Sequence, residues 1–148
     1  MVINGGSGLI IARKHNPGTR GLALRLGARV DLLASCSDKV LLAFAADEDR
    51  VTTIARALSA SGPVDRDALN RQLALIRKGG FAQRKSPITL GINDLSYPVF
   101  GFDGLVAAAL TIPFLRLIDG SQTIDIDAAR ELLASAAADV TGSLASTA

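Results

Sequence analysis

Apolar residues near the start of the chain alternate with small and polar ones, and glycine-rich turns separate the runs. Residues 1–3 and 8–12 are two such runs, and they flank Asn4–Gly5, a pair that accepts the positive φ values of tight hairpin turns. A further alternation, with the period of a half-buried strand, is carried by Leu22, Leu24 and Leu26. The first thirty residues therefore predict a hairpin followed by another strand.

The period changes to that of a helix at about residue 35, and three helices are predicted before residue 81. The first covers about 35–46, with Ser35 or Ser37 as its N-cap. The second follows Asp47, where a run of acidic residues suits the positive end of the helix dipole, and ends near Leu58. The third begins after Asp65 and ends at two glycines, and its apolar face consists of Leu69, Leu73 and Ile76.

From Phe81 onward the pattern returns to strands. A hairpin is predicted in which Ile92–Phe100 pairs with Leu105–Ile112 around a turn that contains two glycines. Pro113 is predicted to end this ladder, because proline has no N–H to donate.

One last helix is predicted over Asp125–Val140, and residues 141–148 are predicted to fray. Its apolar stripe is predicted at Ile126, Ala129, Leu132, Leu133 and Ala136. The elements together indicate a single α+β domain over residues 1–148, with a mostly antiparallel sheet and helices packed on it.

The composition excludes several classes of protein. The chain has 148 residues, 49% hydrophobic and 20% charged, so it can fold around a core of its own and is not a disordered chain. A single cysteine cannot form a disulfide within the chain, and with one histidine it cannot build a zinc site. The longest apolar run, Leu105–Ile112, is too short to cross a bilayer, and no secretory signal opens the sequence. A cytoplasmic protein with no membrane contact and no metal is predicted.

Neither a cofactor nor a catalytic site is indicated. The glycine-rich stretch 5–8 joins two strands rather than a strand and a helix, so it does not match a nucleotide-binding loop. Cys36 would need an adjacent base to act as a nucleophile. The only histidine, His15, lies in a predicted turn, and nothing in the sequence places it near Cys36. We therefore predict that the protein is not an enzyme. The net charge is only +2, and the basic residues are spread along the chain rather than gathered into a stripe, which predicts no direct DNA binding.

Three strings along the chain follow one known pattern. Residues 25–44 read RLGAR … ASCSDKVLLAF, beside the pattern R-x-G-x-R … S-G-K-A-L-L-A-F. Residues 76–82 read IRKGGFA, beside R-x-x-G-Y-A, and residues 91–112 follow G-x-x-x-[IL]-x-x-P-V-F and then G-x-V-x-A-A-L-[ST]-I. In their order and spacing, over about Gly5 to Val140, these strings resemble the C-terminal effector-binding domain of the IclR family of bacterial transcriptional regulators.

The resemblance implies a GAF-like fold and a sensing function. In the family, this domain binds a small metabolite and supports homodimers or tetramers, while an N-terminal winged helix-turn-helix domain binds DNA. No part of this chain matches the DNA-binding domain or the helix that usually opens the effector domain, so we expect a chain truncated at its N-terminus. The expected partner is a small-molecule effector, an organic acid. The alternative is a purely structural dimerisation module with a degenerate pocket.

Departures from the family pattern keep both interpretations open. Asp38 replaces the glycine of S-G-K-A and places a carboxylate in the first turn of a helix. Asp94 stands where some members carry a ligand-contacting cysteine. The acidic stretch that usually follows G-Y-A is replaced by residues 83–87, QRKSP.

The candidate ligand site begins where the first helix starts. By resemblance, Cys36 and Ser37 match positions whose backbone contacts ligand in the family. The first N–H groups of a helix have no intrahelical partner and suit a carboxylate. The alternative is that Ser35 or Ser37 only caps the helix and that Asp38 satisfies the dipole internally.

Three strand residues complete the candidate site. Arg84 and Asp94 resemble ligand-facing positions, where an arginine offers a planar fork to a carboxylate and an aspartate accepts from a hydroxyl or an amine. The alternative is that the two form an exposed cross-strand ion pair of little energetic value. Thr111 matches the [ST]-I position, and its hydroxyl is predicted to point inward unless it is simply a β-branched strand residue.

Overall fold

The fold consists of six short or medium strands and four helices within the described residues. The computed structural model describes residues 1–14, 24–31, 33–61, 64–87 and 89–146. In chain order the elements are β1 (Val2–Asn4), β2 (Ser7–Leu9), β3 (Arg29–Val30), α1 (Cys36–Phe44), α2 (Asp47–Ser61), α3 (Arg66–Gly79), β4 (Ala82–Lys85), β5 (Ile92–Phe100), β6 (Val106–Leu115) and α4 (Ile126–Ala145). The prediction of an α+β domain with antiparallel pairing is confirmed.

The strands form two antiparallel sheets that meet at β6. Their orders are β1-β2-β3 and β4-β5-β6. Met1 and Ala109 exchange both backbone hydrogen bonds, each at 2.8 Å, so the chain just before β1 runs beside the outer edge of β6. The two sheets are therefore joined along β6, and β4 is at the opposite edge of the second sheet.

Local capping signals place the starts of α3 and α4 and the end of α3 where the sequence predicts them. Asp65 and Asp125 each accept a hydrogen bond from the backbone N–H three residues on, at 3.0 and 2.8 Å, and so cap α3 and α4. Gly80 ends α3 with a φ of 82°, a left-handed conformation that only glycine adopts without strain. The predicted end of α4 is wrong: the helix continues to Ala145, and Thr141 Oγ1 accepts a hydrogen bond from Phe100 N at 3.1 Å.

The prediction that Pro113 ends the hairpin is also wrong, because β6 continues to Leu115. Pro113 lies opposite Asp94 and has the same orientation in the strand as Ala109, whose N–H points away from β5 toward Met1. The missing N–H of Pro113 therefore faces the outer edge, where the β5–β6 ladder needs no donor. Pro98, which lies opposite Ala109, is accommodated in the same way because β4 begins only opposite Ser96.

The predicted strand through Leu22, Leu24 and Leu26 is not formed where the structure describes it. Leu24 and Leu26 lie outside any strand and are exposed, while Leu22 and the turn residue His15 are outside the described residues. A turn closed by a bond from Ala28 N to Arg25 O, with Gly27 at a φ of 78°, interrupts the extended backbone. The third strand of this sheet is only Arg29–Val30.

Helix α1 is the centre of the core. One side of it packs on the sheet in a buried cluster of Cys36, Val40, Leu41, Ala82 and Ala109. Its other side packs against α3 in a second cluster of Leu42, Ala43, Leu69 and Leu73. The α1 helix is thus enclosed on two sides, and its first turn is pressed onto the face of the second sheet.

The opposite face of the second sheet is covered by α4. Leu95, Phe114, Ala129 and Leu133 form the buried cluster there. Two residues of the predicted stripe, Leu132 and Ala136, are instead exposed, and Ala137 is buried. The spacing of apolar residues on this alanine-rich helix is compatible with either of two neighbouring apolar stripes. Packing against β5 determines which of the two is buried.

Candidate functional site

The five predicted site residues surround the junction between the start of α1 and one face of the second sheet. Arg84 lies directly opposite Asp94 across the β4–β5 pair, and Ser96 lies opposite Thr111 across β5–β6. Because side chains two residues apart point to the same face of a strand, Asp94 and Ser96 share the face that α1 covers. Cys36 contacts this face from above: its Sγ donates to the Asp94 carbonyl at 3.5 Å.

Cys36 is a buried wall residue rather than a reactive thiol. Its side chain is only 1% exposed. Burial raises the pKa of the Cys36 thiol to about 12, and the negative charge of Asp94 adds to the increase. Since the thiolate is the reactive form, this cysteine remains protonated and inert at neutral pH.

The start of α1 is capped by its own side chains. Ser35 is the N-cap, and its Oγ accepts from Asp38 N at 3.1 Å and donates to Asp38 Oδ2. Ser37 Oγ lies 3.0 Å from Ser35 Oγ and 3.4 Å from the sulfur of Met1. Ser35, and not Ser37, is therefore the cap, and part of the hydrogen-bonding capacity at this helix start is already used.

Asp38 is the most unusual residue of the junction. Its side chain is 0% exposed, and Oδ1 has no hydrogen-bond partner among the described residues. Burial raises the pKa of the Asp38 carboxyl to about 7, although the hydrogen bonds from Ser35 lower it in part. A Cβ atom on Gly8 would stand 2.6 Å from Oδ1, so only glycine fits beside this carboxyl. Asp38 thus fills the space at the helix start with a group that is half neutral near pH 7.

Arg84 and Asp94 are neighbours, as their opposite positions in the sheet require, but not a close ion pair. The ion pairs among the described residues are Arg50–Asp47 and Arg130–Asp127. Arg84 Nη1 donates to the Ala34 carbonyl at 3.2 Å. Burial raises the pKa of Asp94, while the charge of Arg84 opposes that increase. Both side chains are half-buried rather than exposed.

Thr111 points onto the same face and already has a partner. Its Oγ1 lies 2.8 Å from Ser96 Oγ, and Ser96 is 0% exposed. Sequence reasoning missed Ser96, although its spacing of two from Asp94 on a predicted strand is a signal that both share one face. The hydroxyl of Thr111 therefore faces the side of the sheet that α1 covers and is paired with Ser96, and its contact with a ligand stays a prediction.

Comparison with known proteins decides the family. The sequence profile described as "Bacterial transcriptional regulator IclR C-terminal" matches residues 1–141. The chain belongs to this family. No curated protein sequence matches it.

Several solved structures of bacterial proteins share the fold of this domain. IclR from Thermotoga maritima is 24% identical with a TM-score of 0.77, over 97% of this chain and 59% of that one. An IclR homologue from Microbacterium hydrocarbonoxydans, solved in complex with 4-hydroxybenzoate, is 24% identical with a TM-score of 0.74, over 97% and 58%. The repressor BlcR from Agobacterium tumefaciens is 20% identical with a TM-score of 0.72, over 97% and 57%. The GAF-like fold implied by the resemblance is confirmed, and this chain spans about three fifths of those proteins.

Two cavities of this IclR C-terminal domain border α1. One, of about 380 Å³, lies at the end of the helix beside Ala45, Ala46 and Val106. The other, of about 540 Å³, lies between α3 and the edge strand β4 and is bordered by Lys39 and Arg84. Within the described ranges, no group of three or more His, Cys, Asp or Glu side chains is placed to hold a metal ion. None of the helices described has the length and apolar character needed to cross a bilayer.

Proposed function

We propose that this domain senses a small carboxylated metabolite on behalf of a transcriptional regulator. In this proposal, operator binding belongs to a winged helix-turn-helix domain outside the 148 residues, and the sensing domain itself is neither an enzyme nor a DNA-binding module. Membership of the IclR family supports the regulatory role. The complex of an IclR homologue with 4-hydroxybenzoate supports a carboxylic acid as the ligand class.

The observation that carries the proposal is the position of Arg84 beside the start of α1. Its guanidinium donates to the Ala34 carbonyl at 3.2 Å, one residue before the cap of the helix. A guanidinium has five N–H donors, so most of its capacity remains for a carboxylate, which it can bind through two parallel hydrogen bonds. A ligand held there touches both α1 and β4, and so can favour one arrangement of the domain over another.

Replacing Arg84 with alanine is expected to weaken binding of a carboxylic acid about ten- to hundredfold, because a charge-assisted hydrogen bond is lost. A thermal-shift screen with 4-hydroxybenzoate, benzoate, phenylacetate and hexanoate identifies the acid, and isothermal titration then compares the variants. Arg71→Ala, which removes an exposed arginine from α3, is the matched control and should bind like the unmodified domain. Equal affinity of Arg84→Ala and the control would contradict the proposal.

A specific observation favours the alternative, a structural module without a ligand. Asp38 takes the position at the start of α1 where the carboxylate of a ligand was expected, and it is completely buried. In that case no acid of the screen stabilises the domain, since only a ligand that binds the folded state raises the melting temperature.

We also propose that the domain associates with further copies through the end of α4. Val140 and Leu144 continue the spacing of the buried residues Ala129, Leu133 and Ala137, yet both are exposed. An apolar stripe that extends beyond its own sheet is a surface that a second copy can cover.

Val140→Asp is expected to shift the domain toward the monomer mass of 15.3 kDa in light scattering, because burying an unpaired carboxylate at the contact is unfavourable. Leu90→Asp, at a completely exposed leucine in the turn before β5, serves as the control and should leave the assembly unchanged. If the unmodified domain is itself monomeric at high micromolar concentration, association through α4 is excluded.

A further inference from the structure

The cavity between α3 and β4 has a composition that sets it apart from the predicted site. We call it the α3–β4 groove, and its volume is about 540 Å³. Its polar side consists of the cations Lys39 and Arg84 and the neutral Gln72. Its apolar wall on α3 consists of Leu75 and Ile76. The groove is open to solvent, since Leu75 is 69% exposed, but a mostly apolar wall with a few polar groups is the composition of small-molecule sites.

Neither cation of the groove forms a close ion pair among the described residues, although Asp94 lies opposite Arg84 and interacts with its charge. Lys39 Nζ donates to the neutral Gln72 amide oxygen at 2.9 Å, and Arg84 donates to a backbone carbonyl. Both are half-buried, and burial together with the charge of Arg84 lowers the pKa of Lys39. Two partly desolvated cations that repel each other are stabilised when an anion lies between them.

The edge of β4 adds a further donor on the same side. Ser86 N donates a hydrogen bond to the Ile92 carbonyl of β5. In an antiparallel pair, every second residue of a strand directs its backbone N–H and C=O toward the partner strand. Arg84, two residues before Ser86, therefore directs its backbone groups toward β5. Gln83, one residue earlier, directs its N–H away from β5, toward the edge that borders the groove. A carboxylate in the groove can therefore meet one backbone N–H besides the two cations.

The start of α1 at the α1–sheet junction, by contrast, is buried and already carries a carboxyl group. Ser37 is 7% exposed and Ser96 is 0% exposed, and the Thr111 hydroxyl is bonded to Ser96. Asp38 fills the start of the helix, and its ionised form would repel a second carboxylate. Among the described residues, space and positive charge coincide in the groove, on the side of Arg84 that faces α3.

We propose that the carboxylated effector binds in the α3–β4 groove, with its carboxylate between Lys39 and Arg84 and its apolar body against Leu75 and Ile76. This inference rests on the proposed sensing function and assigns its site. The ligand class is an amphipathic carboxylate, aryl or alkyl. Such a ligand contacts α1, α3 and β4 together, so its binding links the position of α3 to the edge of the sheet.

The test is isothermal titration of the acid that stabilises the domain most among 4-hydroxybenzoate, benzoate, phenylacetate and hexanoate. Lys39→Met should weaken binding at least tenfold, because one of two charge-assisted contacts is lost. Leu75→Ala changes no charge and should weaken binding roughly threefold through lost apolar contact. Lys39→Arg keeps the charge and should stay close to the unmodified domain. Lys78→Met makes the same change of charge as Lys39→Met on an exposed residue of α3 outside the groove, and it should have no effect.

The outcomes separate this site from the sensing function itself. Arg84 borders the groove and also donates to the Ala34 carbonyl beside the α1–sheet junction. Leu75 borders the groove from α3, and Lys39 borders the groove and acts on the junction residue Cys36 through its charge. If Arg84→Ala weakens binding while Lys39→Met and Leu75→Ala do not, the ligand binds on the side of Arg84 that faces the α1–sheet junction, and the groove is the wrong site although the function stands. If no acid of the four binds the unmodified domain, both the groove site and the sensing function are refuted. Melting temperatures without ligand establish that each variant is folded.

Discussion

Replacing Leu95 with alanine is expected to lower the free energy of unfolding by about 2 to 5 kcal/mol. Leu95 is 0% exposed and lies in the cluster through which α4 packs on β5, beside Phe114 and Leu133. The change removes buried methyl groups and leaves a cavity that the rigid sheet cannot close fully. Urea denaturation followed by circular dichroism measures the loss.

Leu132→Ala is the matched control for this change. Leu132 lies on the same helix-covered side of the molecule, but its side chain is 58% exposed and faces away from the cluster. We expect it to change the free energy of unfolding by about 0.5 kcal/mol or less. Equal losses at the two positions would mean that α4 packs through the stripe containing Leu132 and not through the one observed.

Asp38 is expected to make the domain less stable as the pH rises from about 4 to 7. The pKa of its carboxyl is about 7 in the folded chain, against 3.8 for an unperturbed aspartate, and burial is the main cause. The unfolded chain therefore releases this proton first, so the contribution of Asp38 is fully present below pH 3.8 and is lost as the pH approaches 7. The expected slope is about 1.4 kcal/mol per pH unit, and the total is roughly 4 kcal/mol.

The variant Asp38→Asn cannot ionise and should lack this slope, which urea denaturation at half-unit steps between pH 4 and pH 8 would measure. The quantity of interest is the difference in unfolding free energy between the unmodified domain and the variant, since groups that do not interact with Asp38 titrate equally in both. Asp139→Asn, at an exposed position of α4, is the control and should follow the unmodified domain. A difference between the unmodified domain and Asp38→Asn that does not change with pH would show that folding does not shift the pKa of Asp38, contrary to the expectation.

Features with local causes could be predicted from the sequence. The caps Asp65 and Asp125, and the glycine that ends α3, depend on the geometry of a few consecutive residues. The N-terminal hairpin around Asn4–Gly5 is also a local feature, because glycine adopts without strain the positive φ that the turn requires at Gly5. These features needed no knowledge of the rest of the fold.

Features that depend on distant contacts were predicted wrongly or left open. Whether Pro113 ends a strand depends on which edge its nitrogen faces, and that orientation is set by pairing with β5 and Met1. Which stripe of α4 is buried depends on its packing against the sheet. The spacing alone therefore predicts Leu132 in the core, whereas the structure buries Ala137 instead. Leu24 and Leu26 keep the period of a strand, but the turn at Gly27 interrupts it.

The candidate site shows the same division. The helix start near Ser35 followed from the sequence pattern, and a cross-strand pair of Arg84 and Asp94 was one of the alternatives that the sequence allowed. The complete burial of Asp38 did not, because it depends on the close approach of Gly8, thirty residues away in the chain. Likewise, the groove beside Lys39 arises from the separation between α3 and the edge of the sheet, which no local pattern encodes.

The two prolines of the β5–β6 hairpin also bear on how the domain behaves when it is concentrated. Unpaired N–H and C=O groups along a strand edge are a template for strands of other molecules, and that pairing is the route to amyloid-like aggregates. Pro113 offers no donor along the outer edge of β6, and Pro98 offers none where β5 extends beyond β4. An incoming strand would lose a hydrogen bond and meet a ring at each of these positions. The prolines therefore protect the longest hairpin of the domain from recruiting a neighbour.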